Sequence, residues 1–287
     1  SMMSLRTRRS LPDQPSPGSF RGGNEPGIEG GQREVVVQGE CEVGGVVGFC
    51  HLVDVLEALG HAAVVLGFDG HLHGIGQGRR LLGASPELLL RVSGGEVFTH
   101  PLAGSARRAS EPVQDEAVAR DLLASRKDQH EHKLVIDEIR RVLTPHCREL
   151  AIPANPTLMS TDTLWHLGTP IAGQLHPGQA SVLSLACQLH PTPALCGYPT
   201  ELARQFIREQ EPFRRALFSG IVGWCDSQGN GEWAVVIRCG VLDGHQVELF
   251  AGAGIVAGSD PAMEWAETGT KLGTMLKALG LSPEVAQ

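Results

Sequence analysis

Residues 249–272 read LFAGAGIVAGSDPAMEWAETGTKL, an apolar strand that passes through a glycine-rich turn into a helix. The strand ends at Ala251, and Gly252 and Gly254 strip the next backbone stretch of side chains. Asp260 and Pro261 supply an N-cap and a first-turn proline, and Gly280 a stop, so a helix is predicted over about 261–279. Backbone N–H groups and the positive end of a helix dipole are thereby offered to an anion. On this helix Glu264, Glu267 and Lys271 stand at i, i+3 and i+7 and share one face, while Trp265, Leu272 and Met275 supply packing. Two readings stay open. The face is a solvated ladder of helical ion pairs, or it is turned inward beside the glycine turn. The turn matches neither GxGxxG nor GxxxxGK[ST], so a nucleotide site is not supported.

Working outward, residues 233–239 and 246–251 read as strands. Arg238 lies among aliphatic neighbours in VVIRC, where it either snorkels to an edge or offers its planar fork to a carboxylate. Residues 117–143 carry helical periodicity without Gly or Pro, with a possible break near Ser125. Val135, Ile139 and Val142 form an apolar line, and Glu131 sits one turn earlier on the same face. That carboxylate is either a boundary residue reaching solvent or a buried group in need of a cation or a proton. Further helices are predicted over 52–59, 180–189 and 201–209. Extended segments are expected over 35–37, 62–68, 81–90 and 150–165. The mixture indicates α+β or α/β.

The 287 residues carry 32 Asp and Glu against 24 Lys and Arg, a net charge of −8. Nucleic acid is therefore not an expected partner. No stretch approaches the ~18 uncharged apolar residues of a membrane span, so no membrane is expected. Seven cysteines without a CxxC pair fit a reducing cytoplasm better than a disulfide scaffold. Residues 1–33 combine arginines, prolines and glycines with few aliphatics and are expected to be disordered or degenerate, ahead of a domain over 34–287. No histidine or cysteine set has zinc spacing and no GxSxG elbow occurs. A site of oxygen ligands only would favour Mg²⁺. Glu87 in LLGASPELLLR and His166 in LWHLGTP are single polar residues between apolar runs, uncommitted by themselves.

Seven segments taken together are more informative. LLGASPELLLR (81–91), HPLAGSARR (100–108), ASRKDQHEHKLV (124–135), TLWHLGTP (163–170), LHPTPALCGYP (189–199), FSGIVGWCDSQGNGEWAVVIRC (218–239) and residues 249–272 resemble, in unbroken order, the chorismate-utilising enzymes. Within that family LHPTPALCG and KDQHEHKLV look like isochorismate synthases of catechol-siderophore or menaquinone pathways.

The resemblance implies an α+β chorismate-binding fold, an antiparallel-rich sheet flanked by helices, shortened at its N-terminus relative to the family. It implies an enzyme that acts on chorismate with Mg²⁺; a monomer is expected. Glu131 and Glu267 match the metal-holding carboxylates, with Glu264 assisting. Arg238 matches the residue gripping the enolpyruvyl carboxylate, with Gly252 and Gly254 supplying amides and Lys271 standing near the metal-bound carboxylate. Glu87 matches the general acid for the departing 4-hydroxyl, a task that favours a raised pKa. His166 lines the site, and Ala194 lies where the family tunes water addition. The family's catalytic base is a lysine at the head of a strand about 45 residues before LLGASPE, and Glu34 of REVVVQGE occupies that place here. Isochorismate synthase is the expected activity. A chorismate binder with little or no turnover and a salicylate synthase are the alternatives.

Overall fold

The computed structural model describes residues 2–10, 34–38, 64–66, 79–178, 181–243 and 245–281. The helix expected over 52–59, and residues 11–33 of the expected disordered segment, lie outside them. The described strands are β1 (Met2–Ser10), β2 (Glu34–Gln38), β3 (Val64–Leu66), β4 (Arg79–Gly83), β5 (Leu88–Ser93), β6 (Glu96–His100) and β7 (Leu102–Arg107), then helices α1 (Pro112–Ala124) and α2 (Arg126–Leu143). There follow β8 (Cys147–Ala151), β9 (Thr157–Ser160), β10 (Leu164–Gly168), β11 (Ile171–Leu175), α3 (Val182–Leu189), α4 (Pro193–Cys196) and α5 (Thr200–Gln210). The chain continues through β12 (Ile221–Cys225), β13 (Gly231–Val235), β14 (Cys239–Asp243) and β15 (Gln246–Gly254) to α6 (Pro261–Ala278).

The strands form three sheets, in the orders β1-β15-β14-β4-β3, β7-β10-β9 and β2-β12-β13-β5-β6-β11-β8. Every pairing is antiparallel. With helices α1, α2, α3 and α6 packed on strands of these sheets, the architecture is the antiparallel-rich α+β fold expected. Its main core joins α2 and α3 to the seven-stranded sheet through Val135, Ile139, Leu185, Leu90 and Trp233, each at most 1% exposed. The periodicity of α2 is thus its packing stripe. The long helical stretch is divided at Ser125, whose extended backbone ends α1 and whose hydroxyl caps α2 by accepting from Asp128 N–H. α6 starts as predicted: Asp260 accepts from Met263 N–H at 2.9 Å and Pro261 follows.

Three expectations are corrected. Residues 2–10 form a strand paired along its whole length with β15, from Met2 opposite Gly254 to Ser10 opposite Gln246. The composition that argued for disorder is overruled by backbone pairing with a partner some 240 residues away. The apolar run 81–90 is two strands parted at 84–87, where the chain turns through Pro86. The strand expected over 233–239 is also two: β13 stops at Val235, β14 begins at Cys239, and Arg238 occupies the junction with φ of 50°. A left-handed conformation is costly for a non-glycine residue, and such strain persists where the surroundings over-determine it.

Candidate active site

Several neighbouring pieces of the fold meet around one cavity. The end of β15 gives one wall, β7 and β10 another, and α2, α6 and the two strand junctions close it. Glu87, Glu131, His166, Ala194, Arg238, Gly252, Gly254, Glu267 and Lys271 all line it. The structure therefore brings nine of the ten sequence-selected residues together. Glu264 does not line the cavity. It lies beside it, 3% exposed, and joins the set through Lys127.

Glu87 sits just before β5, where the pairing with β13 shifts register between Trp233 and Ala234. Its carbonyl accepts from Val235 N–H and its own N–H donates to Ser85 Oγ. Burial pushes the carboxyl up to about 7, against a hydrogen bond from Leu102 N–H and the charges of Lys271 and Arg238. Near neutral pH this acid is poised to give up a proton. Arg238 is 6% exposed, and its φ of 50° turns it out of the strand line. Burial lowers its pKa to about 10 while Glu267 and Glu87 work the other way, so it stays charged at neutral pH. His166 on β10 is held down to about 3 by burial, then by Arg238 and Lys271, against a hydrogen bond with the Gly104 backbone. It is a neutral ring, and its Nε2 is buried without a hydrogen-bond partner among the described residues.

At the other end carboxylates and lysines interleave. Lys271 Nζ contacts Glu267 Oε1 at 2.5 Å and donates to the Gly252 carbonyl at 2.9 Å. Ser105 on β7 donates to Glu267 Oε1 at 2.8 Å. Burial would raise the Glu267 carboxyl, but Lys271, Ser105 and Lys127 outweigh it and hold it below the usual range. Glu131 packs against the bare backbone of Gly254, where a Cβ would lie 2.1 Å from its Oε1. Burial lifts Glu131 to about 7, opposed by Lys127 and Lys271 and reinforced by Glu267 and Asp128. Lys127 reaches Glu264 Oε1 at 2.8 Å, Asp128 Oδ1 at 3.7 Å and Glu131 Oε2 at 3.9 Å. Its burial works against the charged form, but these carboxylates prevail and hold the ammonium above its ordinary pKa. The solvated-face readings of Glu131 and of α6 are thereby excluded.

Sequence reasoning missed Lys127 and Ser105. The i,i+4 spacing of Lys127 to Glu131 was a usable signal. Ser105 had none beyond its place in HPLAGSARR.

The donor set suits Mg²⁺: every carboxylate is an oxygen ligand, and Glu264 Oε2 is a buried oxygen with no hydrogen-bond partner among the described residues. As the side chains stand, no three acidic, histidine or cysteine groups among the described residues converge tightly enough to hold an ion. Lys127 lies between Glu264 and Glu131 instead.

Residues 71–280 match the family model described as chorismate binding enzyme. A relative from Aeromonas hydrophila with the working name isochorismate synthase is 89% identical over 213 residues, 74% of this chain and 54% of its own length. Isochorismate synthase EntC of Escherichia coli K12 is 56% identical over 207 residues, 72% of this chain and 53% of its own. The crystal structure assigned to a 2,3-dihydroxybenzoate-specific isochorismate synthase, DhbC from Bacillus anthracis, superposes with a TM-score of 0.71 at 46% identity. It covers 77% of this chain and 57% of that one. The chain spans about half the length of the curated relatives it matches. No helix among the described residues is long and apolar enough to cross a membrane. On the family model's match over most of the sequence and on these identities, the chain belongs to the chorismate-binding enzyme family.

Proposed function

We propose that the protein converts chorismate to isochorismate with Mg²⁺, as a monomer in the cytoplasm, on a route to a catechol siderophore. The observation carrying this reading is a buried carboxylic acid with a pKa of about 7 in the same cavity as a buried arginine and a cluster of carboxylates. Chorismate is a dianion. In this reading Arg238 forks onto the enolpyruvyl carboxylate, beside the backbone amides of the Gly252–Gly254 segment. Mg²⁺ held by Glu131 and Glu267, with Glu264 assisting, would bind the ring carboxylate and offset its charge, with Lys271 adjacent. Glu87 gives its proton to the departing 4-hydroxyl while a water oxygen bonds to ring carbon 2. The neutral His166 offers Nε2 to a substrate hydroxyl, and Ala194 borders the path of that water. The names of the EntC and DhbC relatives support the reaction, and the dihydroxybenzoate specificity named for DhbC supports the branch.

A specific observation favours a second reading, a chorismate binder of feeble turnover. Water must lose a proton, and the family's base is a lysine at the head of a strand. Here β2 begins at Glu34, opposite Cys225 of β12. The sequence has four lysines, at 127, 133, 271 and 277, and none earlier. A positioned base contributes about 10²- to 10⁴-fold. Chorismate consumption with Mg²⁺, followed by mass analysis of the product, separates the readings. Isochorismate at steady turnover supports the synthase, whereas calorimetric binding of chorismate without product supports the binder. Salicylate with pyruvate would replace both. Glu34→Lys is expected to raise turnover at least 10-fold, and an unchanged rate would refute the assignment of that strand position.

A further inference from the structure

We infer that Lys127 is a built-in stand-in for the metal, an internal cation that neutralises the carboxylate cluster when Mg²⁺ is away and leaves it when Mg²⁺ arrives. This rests on the proposed Mg²⁺ site. Four carboxylates, Asp128, Glu131, Glu264 and Glu267, surround two ammonium groups, and the two lysines are held differently. Lys271 is fixed by the Gly252 carbonyl as well as by Glu267, and its side chain is 16% exposed. Among the described residues Lys127 contacts the carboxylates of Glu264, Asp128 and Glu131, at 2.8 to 3.9 Å, and its side chain is 26% exposed. It stands on the first turn of α2, at the cavity's margin, with a long flexible stem and a way out to solvent.

Its Nζ lies where it shares Glu131 and Glu264, two of the three residues proposed to take the ion. A dication on those oxygens would meet a like charge within about 4 Å, so the two compete for one place. The same arrangement explains why the carboxylates do not converge on one point as they stand. Without a cation among them these carboxylates would face one another uncompensated in a largely buried place. Lys127 thus supplies the positive charge there, at the cost of weaker metal binding.

The test uses the full chain and Mg²⁺ alone. Lys127→Met should bind Mg²⁺ more tightly by roughly 5- to 150-fold in calorimetry, the usual span of coupling between two ligands. Its metal-free melting temperature should fall below wild type, and Mg²⁺ should raise it further than it raises wild type. In the wild-type chain, saturating Mg²⁺ should increase amine-reactive labelling of Lys127 relative to Lys133, whose side chain is 68% exposed on the same helix. If Lys127→Met does not fold, the labelling experiment decides. Unchanged or weaker Mg²⁺ affinity in Lys127→Met, or labelling indifferent to Mg²⁺, would overturn the inference while loss of binding in Glu131→Gln and Glu267→Gln kept the metal site standing. Binding that survives both glutamine variants would overturn the site itself and the inference with it.

Discussion

Replacing Gly254 with alanine puts a methyl group where the Glu131 carboxylate rests. The new Cβ would lie 2.1 Å from Oε1 and 2.5 Å from the carboxyl carbon, against 3.4 Å for ordinary contact. The Oε1 atom must therefore retreat by roughly 1.3 Å, the difference between 3.4 and 2.1 Å. The obstructed atom is the end of a long side chain that can rotate, so the cost to folding is expected near the low end of overpacking, about 1 kcal/mol. The cost to function is larger, because a misplacement of about 1 Å in a positioned group can lower a rate by about 10²-fold. Mg²⁺ affinity in calorimetry is expected to drop by about 10- to 100-fold, with a melting temperature lower by only about 2–4 °C. Gly269→Ala is the control: it lies within α6, a Cβ there meets nothing within 4 Å, and alanine favours the helix by up to about 1 kcal/mol. Wild-type Mg²⁺ affinity in Gly254→Ala, or an equal loss in Gly269→Ala, would refute the claim that bare backbone at 254 seats Glu131.

The remaining predictions concern the buried acid and the core. The Glu87 carboxyl has a folded pKa raised from 4.5 to about 7, so its stabilising contribution is full below about 4.5 and is lost as pH rises through about 7. Glu87→Gln, which has no charge to desolvate, should gain on wild type by about 2 kcal/mol in urea unfolding between pH 5.5 and 8.5. A pH-independent gap would show that the carboxyl is not desolvated. The same variant should lose at least about 10²-fold in turnover. Trp233→Ala removes the largest fully buried side chain among the described residues and should cost about 3–5 kcal/mol in urea unfolding; a loss below about 1 kcal/mol would contradict its place in the main core.

The parts of the fold legible in the sequence were those written in local pattern. Val135, Ile139 and Val142 announced the buried face of α2, and Asp260 with Pro261 announced the start of α6, because cap and stripe depend on residues a few positions apart. Arg238 was read as a strand residue because VVIRC has strand composition. Its departure from the strand line is set by the junction around it, where Ala84 N–H donates to the Arg238 carbonyl at 3.0 Å, and no neighbouring residue encodes that. Met2–Ser10 was misread for a similar reason, since pairing with β15 is decided far along the chain. Glu87, His166 and Arg238 were chemically unremarkable one at a time. Family motifs gathered them before any geometry did. Lys127 escaped notice because a lysine one turn before a glutamate is ordinary on a helix surface, and only the fold turns that pair inward.

The pairing of Met2–Ser10 with β15 has a bearing on how the protein behaves in solution. β15 runs from Gln246 to Gly254, is almost wholly buried, and pairs on its other side with β14. Were the first strand displaced, a nine-residue apolar strand would become a sheet edge with its amides and carbonyls open to any passing chain. The covering strand carries Arg6, Arg8 and Arg9, and Arg6 pairs with Glu248 of the strand it covers. Among the described residues β1 is an edge of this sheet, and charged residues on an edge strand discourage further strand addition. Removal of residues 2–10 is then expected to show first as aggregation starting beside Gly252 and Gly254, before any global unfolding.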